Sequence, residues 1–108
     1  MQAEHQACID ACYRCAIACE HCAASCLNEE QLDMMRACIK LDVQCSSICR
    51  LTAQFLSLES DYIVSICRLC VDICRACAEE CGKHQHEHCQ QCAQACRECA
   101  QACLQMTA

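Results

Sequence analysis

Residues 89–103 read Cys89-Gln90-Gln91-Cys92-Ala93-Gln94-Ala95-Cys96-Arg97-Glu98-Cys99-Ala100-Gln101-Ala102-Cys103. The cysteines step by three, four, three and four, which sets all five on one stripe of an α-helix. The same C-x2-C-x3-C-x2-C-x3-C unit recurs as Cys12, Cys15, Cys19, Cys22, Cys26 and as Cys67, Cys70, Cys74, Cys77, Cys81, and Cys8 extends the first stripe by a turn. A fourth copy lies at 35–49, where Met35, Cys38, Asp42, Cys45 and Cys49 fill the five slots. This is the seam pattern of a helical bundle, with Cys where Leu is expected. Four copies of a helical unit predict an all-α chain of four helices.

The breaks between the copies agree. The chain has one glycine and no proline, as long uninterrupted helices require. Helix 1 is expected from near Gln2 to Cys26 and helix 2 from Glu29 to about Leu56, with Asn28 and Gln31 resembling a capping box. Ser57 to Asp61 form a polar turn with Ser60 as N-cap. Helix 3 is expected over Asp61 to about Cys81, with Gly82 at the C′ position. Helix 4 is expected from near His86, fraying after Leu104. Loops this short make neighbours antiparallel, giving an up-down-up-down four-helix bundle as a single domain over 1–108.

The two ends of such a bundle differ. Leu51, Phe55, Leu56, Leu58, Tyr62, Ile63 and Ile66 would close one end with an apolar plug. The other end collects Cys26, Met34, Met35, Cys81, His84, His86, His88 and Cys89. A second apolar line, Leu41-Ile48-Leu51-Phe55 with Ile66-Leu69-Ile73, belongs to the monomer core or to an oligomer contact.

Composition narrows the function. Leu, Ile, Val and Phe together number 19 of 108 residues, as many as the cysteines, so the conventional core is thin. Net charge is −6 with the basic residues scattered singly, which argues against nucleic acid or an anionic membrane as partner. No run is apolar and long enough to span a bilayer, and the N-terminal residues lack the pattern of a secretory signal. The expectation is a cytoplasmic protein whose cysteines are thiols.

Those thiols have three possible uses. As bland core, 19 of them on a strict period make little sense where Ala or Val would serve. As disulfides they suffer from parallel Cβ vectors within each stripe, and an odd number cannot close within one chain. Metal explains number, period and orientation together. Thiolates take Cu(I), zinc or iron–sulfur clusters. Straight helices spread sulfur in rows, which suits low-coordinate Cu(I) better than tetrahedral zinc. One monovalent ion per thiolate leaves a neutral interior, for a capacity of roughly 20 Cu(I). A metallothionein-like buffer for zinc or cadmium and a disulfide-linked redox bundle stand as alternatives. No phosphate loop or nucleophile–base pair suggests an enzyme.

The four Cys-striped helices resemble the bacterial copper storage proteins, and the stretch Cys81-Gly82-Lys83-His84-Gln85-His86-Glu87-His88-Cys89 is similar to the cytosolic branch of that family. The resemblance covers essentially the whole chain. It implies a homotetramer, Cu(I) held by the cysteine sulfurs and loading through the His-bearing end.

Several residues have two readings. His84, His86 and His88 are either a solvated turn or ligands for incoming copper. Met35 either fills the core or offers its thioether. Asp42 either ligates from a cysteine slot, or a small rotation of helix 2 turns Leu41 in and Asp42 out. His5 continues the first stripe and Met106 the last; both read as structural.

Overall fold

A computed structural model describes residues 2–108 and contains four helices: α1 (Ala3–Cys26), α2 (Leu32–Ser57), α3 (Ile63–Gly82) and α4 (Glu87–Gln105). They form a rod of 44 × 19 × 19 Å, its length set by α2, whose 26 residues span about 39 Å at 1.5 Å per residue. α1 packs on α2 and α4, and α3 packs on the same two helices. The diagonal partners face each other only across the core. This is the expected up-down bundle.

The cysteine stripes decide which face of each helix turns inward. All 19 cysteines are buried. Small residues beside the stripes, Ala16, Ala53, Ala93 and Ala100, are buried with them and let the backbones approach. Larger apolar side chains fill the margins, with Ile9, Ile48, Leu56, Ile66 and Val71 buried. On the outside, Glu20 bridges α1 to α2 through paired bonds from Arg50, each 2.8 Å, and a further bond from the Ser46 hydroxyl. The hydrogen bonds from Arg50 hold the Glu20 carboxyl down at about 2.

The helix ends differ from expectation. α2 starts at Leu32, and its N-cap Gln31 makes no side-chain capping bond, so the Asn28–Gln31 capping box does not form. Instead the backbone N–H groups of Asn28 and Glu29 bond back to Ser25 and Cys26, continuing the α1 turn into the loop. Ser60 stands two residues ahead of the α3 N-cap, Tyr62, and its Oγ accepts the Tyr62 N–H at 3.0 Å. Gly82 is the last residue of α3 and keeps an ordinary negative φ; the left-handed backbone position is Glu59, with φ 53°. A Cβ at Gly82 would meet the end of the flexible Arg97 side chain at 3.4 Å and Ala93 at 3.9 Å, ordinary contacts. The apolar plug is also thinner than expected: Leu56 and Ile66 are buried, but Leu51, Leu58 and Tyr62 are exposed.

Candidate metal centre

The stripes merge into one column of sulfur along the bundle axis. Several groups of thiols bring their Sγ atoms within 4.8 Å of one another, among them five sets of four. Nearest the His-rich end are Cys22, Cys26, Cys38 and Cys89. Cys19, Cys77, Cys92 and Cys96 follow, then Cys15, Cys19, Cys45 and Cys96. Beyond them come Cys15, Cys49, Cys74 and Cys99, one from each helix, and Cys12, Cys70, Cys99 and Cys103. Successive groups in the inner run share Cys19 and Cys96, then Cys15, then Cys99. A thiolate that belongs to two groups is placed to bridge ions in both. At the far end Cys8 lies 3.6 Å from Cys103, and Cys67 adjoins both.

The outermost group joins the inner run through Cys81 and Asp42. Cys38 and Cys81 are 3.0 Å apart. Asp42 is completely buried, so α2 does not rotate to expose it. Its Oδ1 accepts from Cys92 at 3.2 Å, Cys81 at 3.3 Å and Cys77 at 3.4 Å. Burial, reinforced by the charge of Cys92, pushes the Asp42 carboxyl up to about 10. An ion placed there would supply the positive charge that the carboxylate lacks.

Desolvation also raises two thiols of the outer group, whereas hydrogen bonds with Cys22 and Cys81 lower Cys38. Cys26 is pushed up to about 11 by burial and by the charge of Cys38, and Cys89 is raised for the same two reasons. Such thiols stay protonated at neutral pH until a metal takes the proton's place.

The four helix ends place the histidines differently. His88, at the start of α4, reaches inward: its Nδ1 is 3.5 Å from Cys89, 3.6 Å from Cys22 and 3.8 Å from Cys26. Its Nε2 lies 3.2 Å from Glu29 Oε1. An ionised carboxylate only accepts, so Nε2 carries the proton and Nδ1 turns a lone pair to the sulfurs. His86, the α4 N-cap, stacks on His88 at 5.3 Å and shares Glu29 through Nε2 at 3.6 Å. His84 is turned away from the sulfurs, its Nε2 on Glu80 at 2.9 Å. Met34, Met35, His84 and His86 line a cavity of about 570 Å³ at this end, with Met35 buried and Met34 exposed.

The structure thus brings the 19 cysteines, Asp42, Met35 and His88 together and leaves His84 and His86 at the rim. Glu29 and Glu80, which hold the rim histidines, carry no signal in the sequence. Glu29 meets His88 across 59 positions, and its local context resembles the first turn of a helix that in fact begins three residues later.

The comparisons with known proteins fit this geometry. Residues 1–108 match the family described as copper storage protein. The chain belongs to the copper storage protein family. A Cu(I)-bound copper storage protein, BsCsp3, superposes with a TM-score of 0.93 at 47% identity, over 97% of this chain and 99% of that one. A cytosolic copper storage protein from Streptomyces lividans, with five coppers, gives a TM-score of 0.93 at 39% identity, over 96% of this chain and 92% of that one. A cysteine-rich protein of Bacillus subtilis, YhjQ, is 46% identical over 70 residues, and the match spans 65% of each chain. Like these copper storage proteins, this chain is a Cys-lined four-helix bundle. All its cysteines are free thiols, which disfavours the disulfide-linked alternative.

Proposed function

We propose that this protein is a cytoplasmic store and buffer for Cu(I), taking on the order of one ion per cysteine, roughly 20 per chain. The observation that carries this reading is the sharing of Cys15, Cys19, Cys96 and Cys99 between neighbouring groups. Discrete zinc sites need four ligands each. A run of shared thiols suits two-coordinate ions, each thiolate bridging a pair, with charges that cancel. Capacity along a 44 Å rod serves storage, and a catalytic or electron-transfer role would need one tuned site. The cytoplasmic assignment is supported by the S. lividans relative, which is described as cytosolic.

In this reading copper enters at the cavity beside Met35, meets His88, and passes to Cys22, Cys26, Cys38 and Cys89. Each step is ligand exchange: a thiol gives its proton to solvent as its sulfur binds the ion, and no electron moves. All 19 cysteines serve as ligands, with His88 and Asp42 as additional donors. His84, His86 and Met35 guide the incoming ion. A homotetramer, which the family resemblance implies, would cover part of the exposed apolar surface at Tyr13, Ile17, Val43, Leu51 and Leu69.

Metal competition tests the assignment. Copper-loaded protein mixed with an equal concentration of zinc should keep its copper. Displacement by zinc would instead support a general thiolate buffer.

A further inference from the structure

The bundle end opposite the histidine-rich mouth holds one polar atom that the fold leaves unexplained. His5 Nδ1 is buried and has no hydrogen-bond partner, alone in this among the side-chain nitrogens and oxygens of the described residues. Buried polar groups are almost always paired, and an orphan points to an absent ion or water. His5 sits three residues before Cys8 on the same helical stripe, so their Cβ atoms are about 5–6 Å apart. Cys8 is in turn grouped with Cys67 and Cys103. No carboxylate takes the imidazole nitrogen here, in contrast to Glu80 on His84 and Glu29 on His88.

We propose that His5 is a terminal Cu(I) ligand, closing the copper column at its far end together with Cys8. The inference rests on the storage reading. A neutral imidazole with its proton on Nε2 offers the Nδ1 lone pair, and neutral imidazole is a good donor to copper. The Cys8 thiol releases its proton to solvent as the Cu–S bond forms, the nitrogen donates an electron pair, and the oxidation state of copper is unchanged. Nitrogen also suits the end of the column. A bridging thiolate must be shared between two ions, whereas an imidazole caps the last ion, beyond which there is no further sulfur.

The test is ¹⁵N NMR of protein labelled at histidine, titrated anaerobically with Cu(I), with the His5 signal assigned from the His5→Ala variant. His5 Nδ1 should move to the position of a metal-bound nitrogen by saturation, and His5→Ala should bind about one Cu(I) fewer per chain. A His5 Nδ1 signal that keeps its metal-free position at saturation would overturn the proposal, whatever the variant's stability. The near-ultraviolet absorption of Cu(I)–thiolate bonds, followed in the same samples, separates the two readings. Its growth with an unmoved His5 refutes the cap alone, and its absence refutes storage itself.

Discussion

His88 and Glu29 form a contact that links the rim of this protein to its sulfur column. The 3.2 Å bond from Nε2 to the carboxylate fixes the proton on the outer nitrogen, while Nδ1 faces Cys22, Cys26 and Cys89. Carboxylates behind a ligating histidine set its tautomer and raise its donor strength, and their loss weakens metal binding about 10–100-fold. Glu29→Ala should therefore slow transfer of the first copper equivalents from a Cu(I) chelate by about tenfold in a stopped-flow experiment. His88→Ala should slow it at least as much. Both variants should reach the same plateau, less at most the ion held by His88. An unchanged rate in both would remove the mouth from the loading route.

Asp42 makes stability depend on pH with a definite sign. Its folded-state value of about 10 lies far above the ordinary carboxylate range. The unfolded chain ionises Asp42 near pH 4 while the folded chain keeps it protonated, so the stabilisation is complete below pH 4 and is lost as pH rises toward 10. Between pH 5 and 7.5 this group lowers metal-free stability by up to about 1.4 kcal/mol per pH unit. Asp42→Asn should flatten that slope in urea titrations. An equal slope in the variant would mean that the carboxyl is already ionised in the fold.

The shared thiols tie neighbouring ions together. Cys15 belongs to two groups. Cys15→Ala should cost about two bound Cu(I), by metal analysis of the saturated protein. Loss of a single ion would indicate separate sites instead of a bridged column.

The Glu20–Arg50 pair offers a control on the outer face of the bundle. Both side chains are about half exposed, so breaking the pair with Glu20→Gln should cost only about 0.2–1 kcal/mol and leave copper capacity unchanged. The carboxyl itself should titrate at about 2 by NMR. Its stabilisation is present above the ordinary carboxylate value and is lost as pH falls toward 2.

The helical repeat made the bundle and its inward stripes of cysteine legible in the sequence, because period is a local property. It also exposed Met35 and Asp42 as departures, but the direction of Asp42 depended on the rotation of α2 against its neighbours, which periodicity does not determine. The ends were read less well. Gly82 ends α3 with an ordinary φ and is not a left-handed cap, and the Asn28–Gln31 pair resembles a cap that the loop does not use. The histidines divided only in three dimensions: His84 is held by Glu80, and of the two imidazoles on Glu29 only His88 turns its Nδ1 to the sulfurs. His5 read as structural until its nitrogen proved to be buried without a partner.

The number of copper ions bound at saturation tests the account most directly. Fully reduced protein, titrated anaerobically with Cu(I) against a strong chelator, should take up metal to a plateau on the order of one ion per cysteine, close to 20 per chain. A plateau at only a few ions per chain would contradict storage in a continuous thiolate column.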